Sequence, residues 1–256
     1  MTNLISKNSN KFESPLGQVS AGFPSARSAE ASKIVASVYG WMGLGVGITA
    51  MVGVGTVASG LLQTLMASGS FTFPGLMILQ IGLVMVLSFA APKLSVGAAR
   101  GLFLAYSALT GLTLSTLMLV YTAASLGGVF IAAAAAFGGL ALYGAVTKKN
   151  LGFLGTFLFM GLLMVVGLGL VNMFVHSAIL YSLGSWMGLL VFSGLTAYDS
   201  QRITQMAYGQ TQEGSYGMPA TVAAGTDKLV IYGALSMYLN FINLFLSLLR
   251  IFGNRR

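Results

Sequence analysis

The chain has 256 residues, of which 56% are hydrophobic and only 7% are charged, and its mean hydropathy is +0.85. A soluble domain carries about 25% charged residues, so this composition excludes a water-soluble protein and indicates a single domain of membrane helices. The absence of cysteine excludes disulfides and thiolate metal sites. The formal charge of +8 is informative through its position along the chain, as a guide to membrane orientation rather than to nucleic-acid binding.

Residues 1–33 are polar and lack the apolar core of a signal peptide, which predicts a disordered cytoplasmic tail. Seven apolar spans follow, each long enough to cross a bilayer. They lie at about Val35–Leu62, Pro74–Ala91, Ala98–Tyr121, Leu126–Val146, Gly152–Val175, Ile179–Tyr198 and Leu229–Ile251. Because the connections are short, the first six spans are predicted to form three helical hairpins, within a membrane domain of residues 34–256.

Connections that contain lysine or arginine alternate with connections that contain neither, and this alternation predicts the orientation of the chain in the membrane. They occur in the N-terminal tail and in the second, fourth and sixth connections, whereas the first, third and fifth connections have none. This pattern places the N-terminus in the cytoplasm and His176, in the fifth connection, outside. Arg250, Arg255 and Arg256 would also lie outside if the seventh span crosses fully, against the rule. A re-entrant seventh span is the alternative, and we favour the crossing.

The sixth connection, about residues 200–226, is rich in Gly, Gln and Ser and is predicted to be a flexible cytoplasmic loop. Asp199 precedes it at the end of the sixth span, and Asp227 follows it as a candidate cap for the seventh. Asp199 is interpreted either as an interfacial residue or as part of a functional site. In both cases a cytoplasmic latch between Asp199 and Lys93 or Arg202 is expected, because opposite charges near the interface attract.

The seventh span has a single polar stripe. Its members, at spacing i, i+4, i+7 and i+11, are Ser236, Asn240, Asn243 and Ser247. This spacing places them on one helical face. A buried amide in lipid needs a partner in protein or water, so the stripe is predicted to face the centre of the bundle. Its residues either line a pathway or hold helices together, which is the usual role of a lone intramembrane Asn.

Five segments carry recognisable motifs. They are GLTAYDSQRI (Gly194–Ile203), ALSMYLNFINLFLSLLRIFGNRR (234–256), YGWM (Tyr39–Met42), YSALTGLTLS (Tyr106–Ser115) and VYTAAS (Val120–Ser125). Together they resemble the Bax inhibitor-1 family and its bacterial inner-membrane branch. The resemblance implies an all-α fold of seven transmembrane helices, with three hairpins around a central C-terminal helix. It also implies either a pH-sensitive calcium leak channel or a regulator of membrane proteins and cell-death pathways.

The family mechanism implied by the resemblance rests on two aspartates that share a proton and can coordinate a hard cation. Asp199 matches the first aspartate, in the AYD motif, but Asn240 occupies the second position, in YLNF. An amide cannot titrate and offers only a neutral oxygen. We therefore expect Asp199 and Asn240 to form the pathway site, with weakened pH gating and weakened calcium binding at Asp199.

Two functions stay open at this point. One is a channel or leak pathway lined by the seventh span, and the other is a non-transporting partner of another membrane protein, such as a quality-control protease. Neither a convergent Ser–His–Asp set nor metal-ligand spacing is found, so we expect no enzyme and no cofactor beyond a possible calcium ion. The bilayer is the expected environment, and no nucleic-acid partner is expected.

Overall fold

The computed structural model describes residues 23–89, 94–209 and 226–256, and the regular secondary structure of this part of the chain is helical apart from one isolated bridge. Its helices are α1 (Phe23–Ala58), α2 (Leu61–Ala67), α3 (Thr72–Phe89), α4 (Val96–Leu114), α5 (Leu117–Val120), α6 (Ala123–Val146), α7 (Gly152–Val175), α8 (Ala178–Ala207) and α9 (Thr226–Phe252). Six segments are long and apolar enough to cross a membrane, with α4 and α5 counted together. The α2–α3 pair, bent by 106°, brings the number to seven when the two helices are counted as one span. The predicted all-α, multi-pass membrane fold is confirmed.

Polar residues in the connections explain where several helices begin. Ser95, Thr122 and Ser177 each accept a hydrogen bond from a backbone N–H three residues later, at 3.2, 3.2 and 3.5 Å, and so cap α4, α6 and α8. His176 ends α7 in the left-handed conformation, with φ at 53°. That conformation terminates a helix within one residue, so α8 can begin at once in the reverse direction.

Helix α1 begins earlier than the sequence predicted. It starts at Phe23, within the segment interpreted as a disordered tail extending to residue 33. Pro24 is compatible with this start, because the N–H groups of a first helical turn have no intrahelical partner and proline has none to lose. Residues 1–22, the remainder of the predicted tail, lie outside the described residues.

Helix α8 ends later than the sequence predicted. It continues to Ala207, so the segment from Ser200 onward is not the start of a loop. The added turns are held in the bundle because Gln201, Ile203 and Met206 are buried. Burial of this face outweighs the polar composition that suggested a loop. Residues 210–225 of the predicted loop lie outside the described residues.

Helix α9 is the centre of the bundle, which confirms the position predicted from its polar stripe. The membrane-spanning window of α9 is 72% buried, whereas those of the other spanning helices are 6–28% buried. It packs against α8, α1, α6 and α4. Tyr238 is fully buried, and Phe241 makes edge-to-face contacts with Phe130 and Phe137 at ring-centroid distances of 5.6 and 5.5 Å.

The three predicted hairpins are reproduced only in part. Helices α7 and α8 pack closely as consecutive spans, but α1 packs most closely against α4, and α6 against α8. Glycine explains both crossings. A Cβ atom on Gly111 would overlap the carbonyl of Thr49, and one on Gly144 would overlap the carbonyl of Ala197. Without a side chain, the two backbones can approach closely, and van der Waals packing then selects these pairs over sequence neighbours.

Contacts between helix termini define two ends of the bundle. At the Asp227 end, Asp227 forms an ion pair with Arg100 at 2.9 Å, and Ser32 Oγ lies 3.4 Å from Tyr208 Oη. At the Arg255 end, the backbone of Arg255 pairs with that of Tyr121 in an antiparallel bridge. Helix α9 therefore runs unbroken from one end to the other and is long and apolar enough to cross a membrane, as the favoured prediction of a full crossing requires.

Candidate functional site

The carboxylate of Asp199 lies against the central helix. Its Oδ2 atom accepts hydrogen bonds from Ser236 Oγ at 2.5 Å and from Asn240 Nδ2 at 2.7 Å. Ser236 and Asn240 are one turn apart on α9, so both reach the same oxygen. Asp199 lies eight residues before the end of α8, about 12 Å along the helix from that end at a rise of 1.5 Å per residue. The first two residues of the polar stripe and Asp199 therefore form one site, which we call the Asp199 contact.

The predicted latch is not formed as an ion pair. Arg202 lies one turn beyond Asp199 on α8, close enough to act on it electrostatically, but within the described chain the only salt bridge is Arg100–Asp227. The Nε and Nη2 atoms of Arg202 are buried without a hydrogen-bond partner. Because the carboxylate is turned toward α9, its bonds go to Ser236 and Asn240 instead. Lys93, the other predicted latch residue, lies outside the described residues.

The outer half of the polar stripe does not reach Asp199. Asn243 Nδ2 donates to the backbone oxygen of Leu239 at 2.8 Å, and Ser247 Oγ donates to that of Asn243 at 2.8 Å. Ser247 also faces Gly188, where an added Cβ would lie 2.6 Å from its hydroxyl. Both side chains donate to backbone oxygens of α9, Ser247 lies against α8 at Gly188, and neither side chain is joined to the Asp199 contact.

Several hydrogen bonds fix the segment of α8 that carries Asp199. Ser200 Oγ donates to the Ala141 oxygen at 2.6 Å and lies 2.8 Å from the Tyr39 hydroxyl. Gln201 Nε2 donates to the Lys149 oxygen at 2.7 Å, and its Oε1 accepts from the Leu151 N–H at 2.9 Å. These bonds tie α8 to α1, to α6 and to the connection before α7. Asp199 is therefore presented to α9 from a well-anchored helix.

A second polar contact lies on the opposite face of α9, and sequence reasoning missed it. The hydroxyl of Tyr238 is 2.7 Å from Thr49 Oγ1, which also lies 2.9 Å from the backbone oxygen of Ser107. The Tyr238 ring makes edge-to-face contacts with Phe103 and Tyr106 at 5.7 and 5.9 Å. We call this the Tyr238 contact. A signal was available, because a tyrosine in the middle of a span requires a partner for its hydroxyl.

The Asp199 contact is chemically simple. One carboxylate faces a hydroxyl and an amide, all three of which have oxygen atoms that a hard cation accepts as ligands. No group of three His, Cys, Asp or Glu side chains that could hold a metal occurs in the described part of the chain. Among the described residues, Arg202 and Tyr39 are ionisable groups that interact electrostatically with Asp199. The arrangement is suited to weak, reversible cation contact, because one acidic ligand gives little charge compensation.

The chain is similar to a known protein family and to several bacterial proteins. The family described as "Inhibitor of apoptosis-promoting Bax1" matches residues 31–256. The inner membrane protein YbhL of Escherichia coli strain K12 is 44% identical over 222 residues, which are 87% of this chain and 92% of that protein. A protein of Deinococcus radiodurans is 42% identical over 223 residues, 87% of this chain and 90% of its own. A membrane protein of Streptococcus pyogenes serotype M1 is 35% identical over 224 residues, 87% and 93% of the two chains.

Proposed function

The chain belongs to the Bax inhibitor-1 family, and from this premise we propose that it provides a calcium leak pathway across the bacterial inner membrane. In this proposal Asp199 is the carboxylate that an entering cation meets. Asn240 replaces the second acid of the family pair, so the leak responds only weakly to pH near neutrality.

One observation carries the proposal. Asp199 and Asn240 match the two positions at which the family mechanism requires aspartates, and their side chains are in direct contact at 2.7 Å. Sequence spacing alone leaves them 41 residues apart on different helices. Their contact supports a site in which α8 and α9 close on one another through Asp199.

The hydrogen bonds suggest how such a site would open. A cation that binds Oδ2 of Asp199 competes with the donors of Ser236 and Asn240, and in this proposal α8 and α9 then separate locally. Arg202 has buried donors that are unpaired in the described structure and lies one turn away. Arg202 is the candidate partner of Asp199 once the hydrogen bonds to α9 break. The expected latch between these two residues would then form in a second, open state.

The absence of a second carboxylate sets the pH response. Two adjacent carboxylates share a proton and change their joint charge near neutral pH, whereas a carboxylate beside an amide has no such partner. Asn240 keeps one bond to Asp199 regardless of pH. We therefore propose that this chain retains the geometry of the family site without its proton switch.

Purified protein in liposomes loaded with a calcium dye tests the proposal between about pH 6 and pH 8. The unsubstituted protein should leak calcium with little pH dependence, and Asn240→Asp should make the leak strongly pH-dependent. Asp199→Asn, which keeps the shape of the side chain, should reduce the leak to the level of protein-free liposomes.

Two outcomes would count against this function. A strongly pH-gated leak in the unsubstituted protein that Asn240→Asp leaves unchanged would contradict the role given to Asn240. Liposomes that never leak calcium, with folded protein present, would favour the alternative of a non-transporting partner or regulator of other membrane proteins.

The proposed orientation places the Asp227 end in the cytoplasm and the Arg255 end outside, because the lysine-bearing fourth connection lies at the Asp227 end. The chain has no cysteine, so single cysteines can be introduced without background. In intact cells an impermeant thiol reagent should label His176→Cys and spare Lys148→Cys. Equal labelling of the two variants, or the reverse pattern, would refute this orientation.

A further inference from the structure

A cavity of about 600 Å³ lies at the Arg255 end, far from the Asp199 contact. It is open on one side, and three parts of the chain line it: the α5 segment, the junction of α7 with α8, and the last turns of α9 with the C-terminal residues. Backbone pairing holds this region together, since the N–H of Arg256 donates to the Val120 oxygen at 2.9 Å and that of Thr122 to the Asn254 oxygen at 3.2 Å. The C-terminal residues are thus a structural wall of the cavity.

Two arginines of the cavity share one aromatic ring. The Cζ atoms of Arg250 and Arg255 lie 5.7 and 5.5 Å from the ring centroid of Tyr181, and Arg255 Nη2 also donates to its hydroxyl at 3.3 Å. Cation–π contact places both guanidinium groups beside the same ring, so two positive charges line this one cavity. An anion that both groups contact would compensate those charges.

Acidic side chains do not provide this anion within the described structure. The described acids Glu30, Asp199 and Asp227 belong to the other half of the bundle, and the single ion pair of the described residues is at the Asp227 end. The other polar residues of the cavity wall include Asn172, His176 and Tyr121, and no Asp or Glu of the described residues lines it. The charge of this cavity is therefore uncompensated by the protein side chains that are described.

The rest of the wall is apolar. Leu117, Leu246 and Leu249 form part of it, so the cavity combines a hydrocarbon surface with a pair of guanidinium groups. It lies where spanning helices end, which is the depth at which lipid phosphates meet acyl chains. Guanidinium groups recognise phosphate oxygens with charge-assisted, often paired hydrogen bonds.

We propose that this cavity is a binding site for a membrane phospholipid with a net negative headgroup. The phosphate lies between Arg250 and Arg255, and the adjoining hydrocarbon covers the leucine wall. Free inorganic phosphate satisfies the arginines but not the apolar wall, so a lipid is the occupant that matches both surfaces. The site is independent of the calcium leak, because it shares no residue with the Asp199 contact.

Fluorescence of Trp186 can report binding at this end. Trp186 contacts Phe252, the last residue of α9, at 6.3 Å between ring centroids, whereas Trp41, the other of the two tryptophans, lies beside Arg100. In a Trp41→Phe background, phosphatidylglycerol with brominated acyl chains is titrated into the protein in neutral detergent. It should quench Trp186 at lower concentration than brominated phosphatidylcholine does.

Arginine variants then test which residues cause the preference for phosphatidylglycerol. Arg250→Gln and Arg255→Gln should each weaken the phosphatidylglycerol preference about fivefold, as expected for one basic residue at an anionic lipid surface. Arg256→Gln is the matched control, since it removes the same charge at the same end but lines a neighbouring apolar groove instead. Its preference should stay unchanged.

Three results would overturn the proposal. One is equal quenching by the two lipids, and another is an equal loss of preference in all three arginine variants, which would indicate general surface charge. The third is displacement of phosphatidylglycerol by inorganic phosphate at matched ionic strength, which would identify a soluble anion as the occupant. Each is measured on protein whose helical content is intact by circular dichroism.

Discussion

Helix α9 makes its two main polar contacts on opposite faces, and they differ in charge. On one face the Asp199 contact joins α9 to α8 through a carboxylate that accepts from Ser236 and Asn240. On the other face the Tyr238 contact joins α9 to α1 and α4 through neutral hydroxyl groups. Both contacts provide hydrogen-bond partners for polar groups that lipid could not pair. Burial and hydrogen bonding alone therefore do not distinguish structural from functional residues.

This difference in charge indicates which of the two contacts could respond to pH or to cations. In the Tyr238 contact every partner is neutral and the ring is fully buried between Phe103 and Tyr106, so no change of pH or cation concentration acts on it directly. In the Asp199 contact an ionisable carboxylate accepts hydrogen bonds from two neutral donors. Under the proposed function this is the contact that responds to cations, because a carboxylate gains more from a cation than from a neutral donor.

The largest expected effect comes from breaking the neutral contact. Tyr238→Ala removes a fully buried ring and should lower the free energy of unfolding by about 3–5 kcal/mol, the usual cost of truncating a core aromatic residue. Tyr238→Phe removes only the hydroxyl and should cost about 1 kcal/mol. Unfolding in detergent, followed by circular dichroism, measures both. If Tyr238→Phe abolished calcium leak while leaving stability intact, the division between the two contacts would be wrong.

The next effect comes from making the charged contact more charged. Asn240→Asp places two carboxylates on facing helices, and their repulsion at about 4 Å is worth up to about 4 kcal/mol at an effective dielectric constant of 20. Both groups are ionised at high pH and share a proton at lower pH, so the folded state holds that proton more tightly than the unfolded state. The loss of stability relative to the unsubstituted protein should therefore grow as the pH rises from 6 to 8.

A pH series of unfolding midpoints for Asn240→Asp and the unsubstituted protein provides the measurement. Asn243→Asp is a useful control, because Asn243 bonds only to its own helix and lies away from Asp199. A pH-dependent loss that is equal at both positions would show that the repulsion does not arise from Asp199.

The smallest effect tests whether both donors hold the carboxylate. Ser236→Ala removes one of two hydrogen bonds to Asp199 and should lower the free energy of unfolding by about 1.5–3 kcal/mol, the range for bonds to charged groups. Asn243→Ala, on the same stripe, should cost about 0.5 kcal/mol or less because its one bond is to Leu239 of its own turn. Equal costs at the two positions would mean that the stripe acts uniformly and that the Asp199 contact is not special.

The spans and the central helix could be predicted from local pattern. Apolar length located every spanning segment, and the last span, from about Leu229 to Ile251, agrees with α9 at Thr226–Phe252 to within three residues. Boundaries failed where polar composition suggested a loop but tertiary burial continued a helix, as at Gln201 and Met206. The sequence records how polar a residue is, and not whether another helix will cover it.

The Asp199 contact could be predicted only in part. The motif at Asp199 and the stripe through Asn240 marked the right residues, yet charge attraction suggested Arg202 or Lys93 as the partner of Asp199. The structure instead directs the carboxylate to Ser236 and Asn240. Arg202 is on α8 with Asp199, whereas Ser236 and Asn240 are on α9. Sequence periodicity does not show which of these two helices supplies the donors to the carboxylate.

The sequence by itself determined the membrane fold of this protein, the place of its apolar segments, and the face of α9 that carries amides. These properties follow from solvation of each segment in lipid and from helical periodicity, both of which are local. Only the tertiary structure decided that α1 packs on α4, that Asp199 meets Asn240, and that Arg250 and Arg255 meet on Tyr181. Those contacts join residues far apart in the chain, and close packing at positions such as Gly111 and Gly144 selects them.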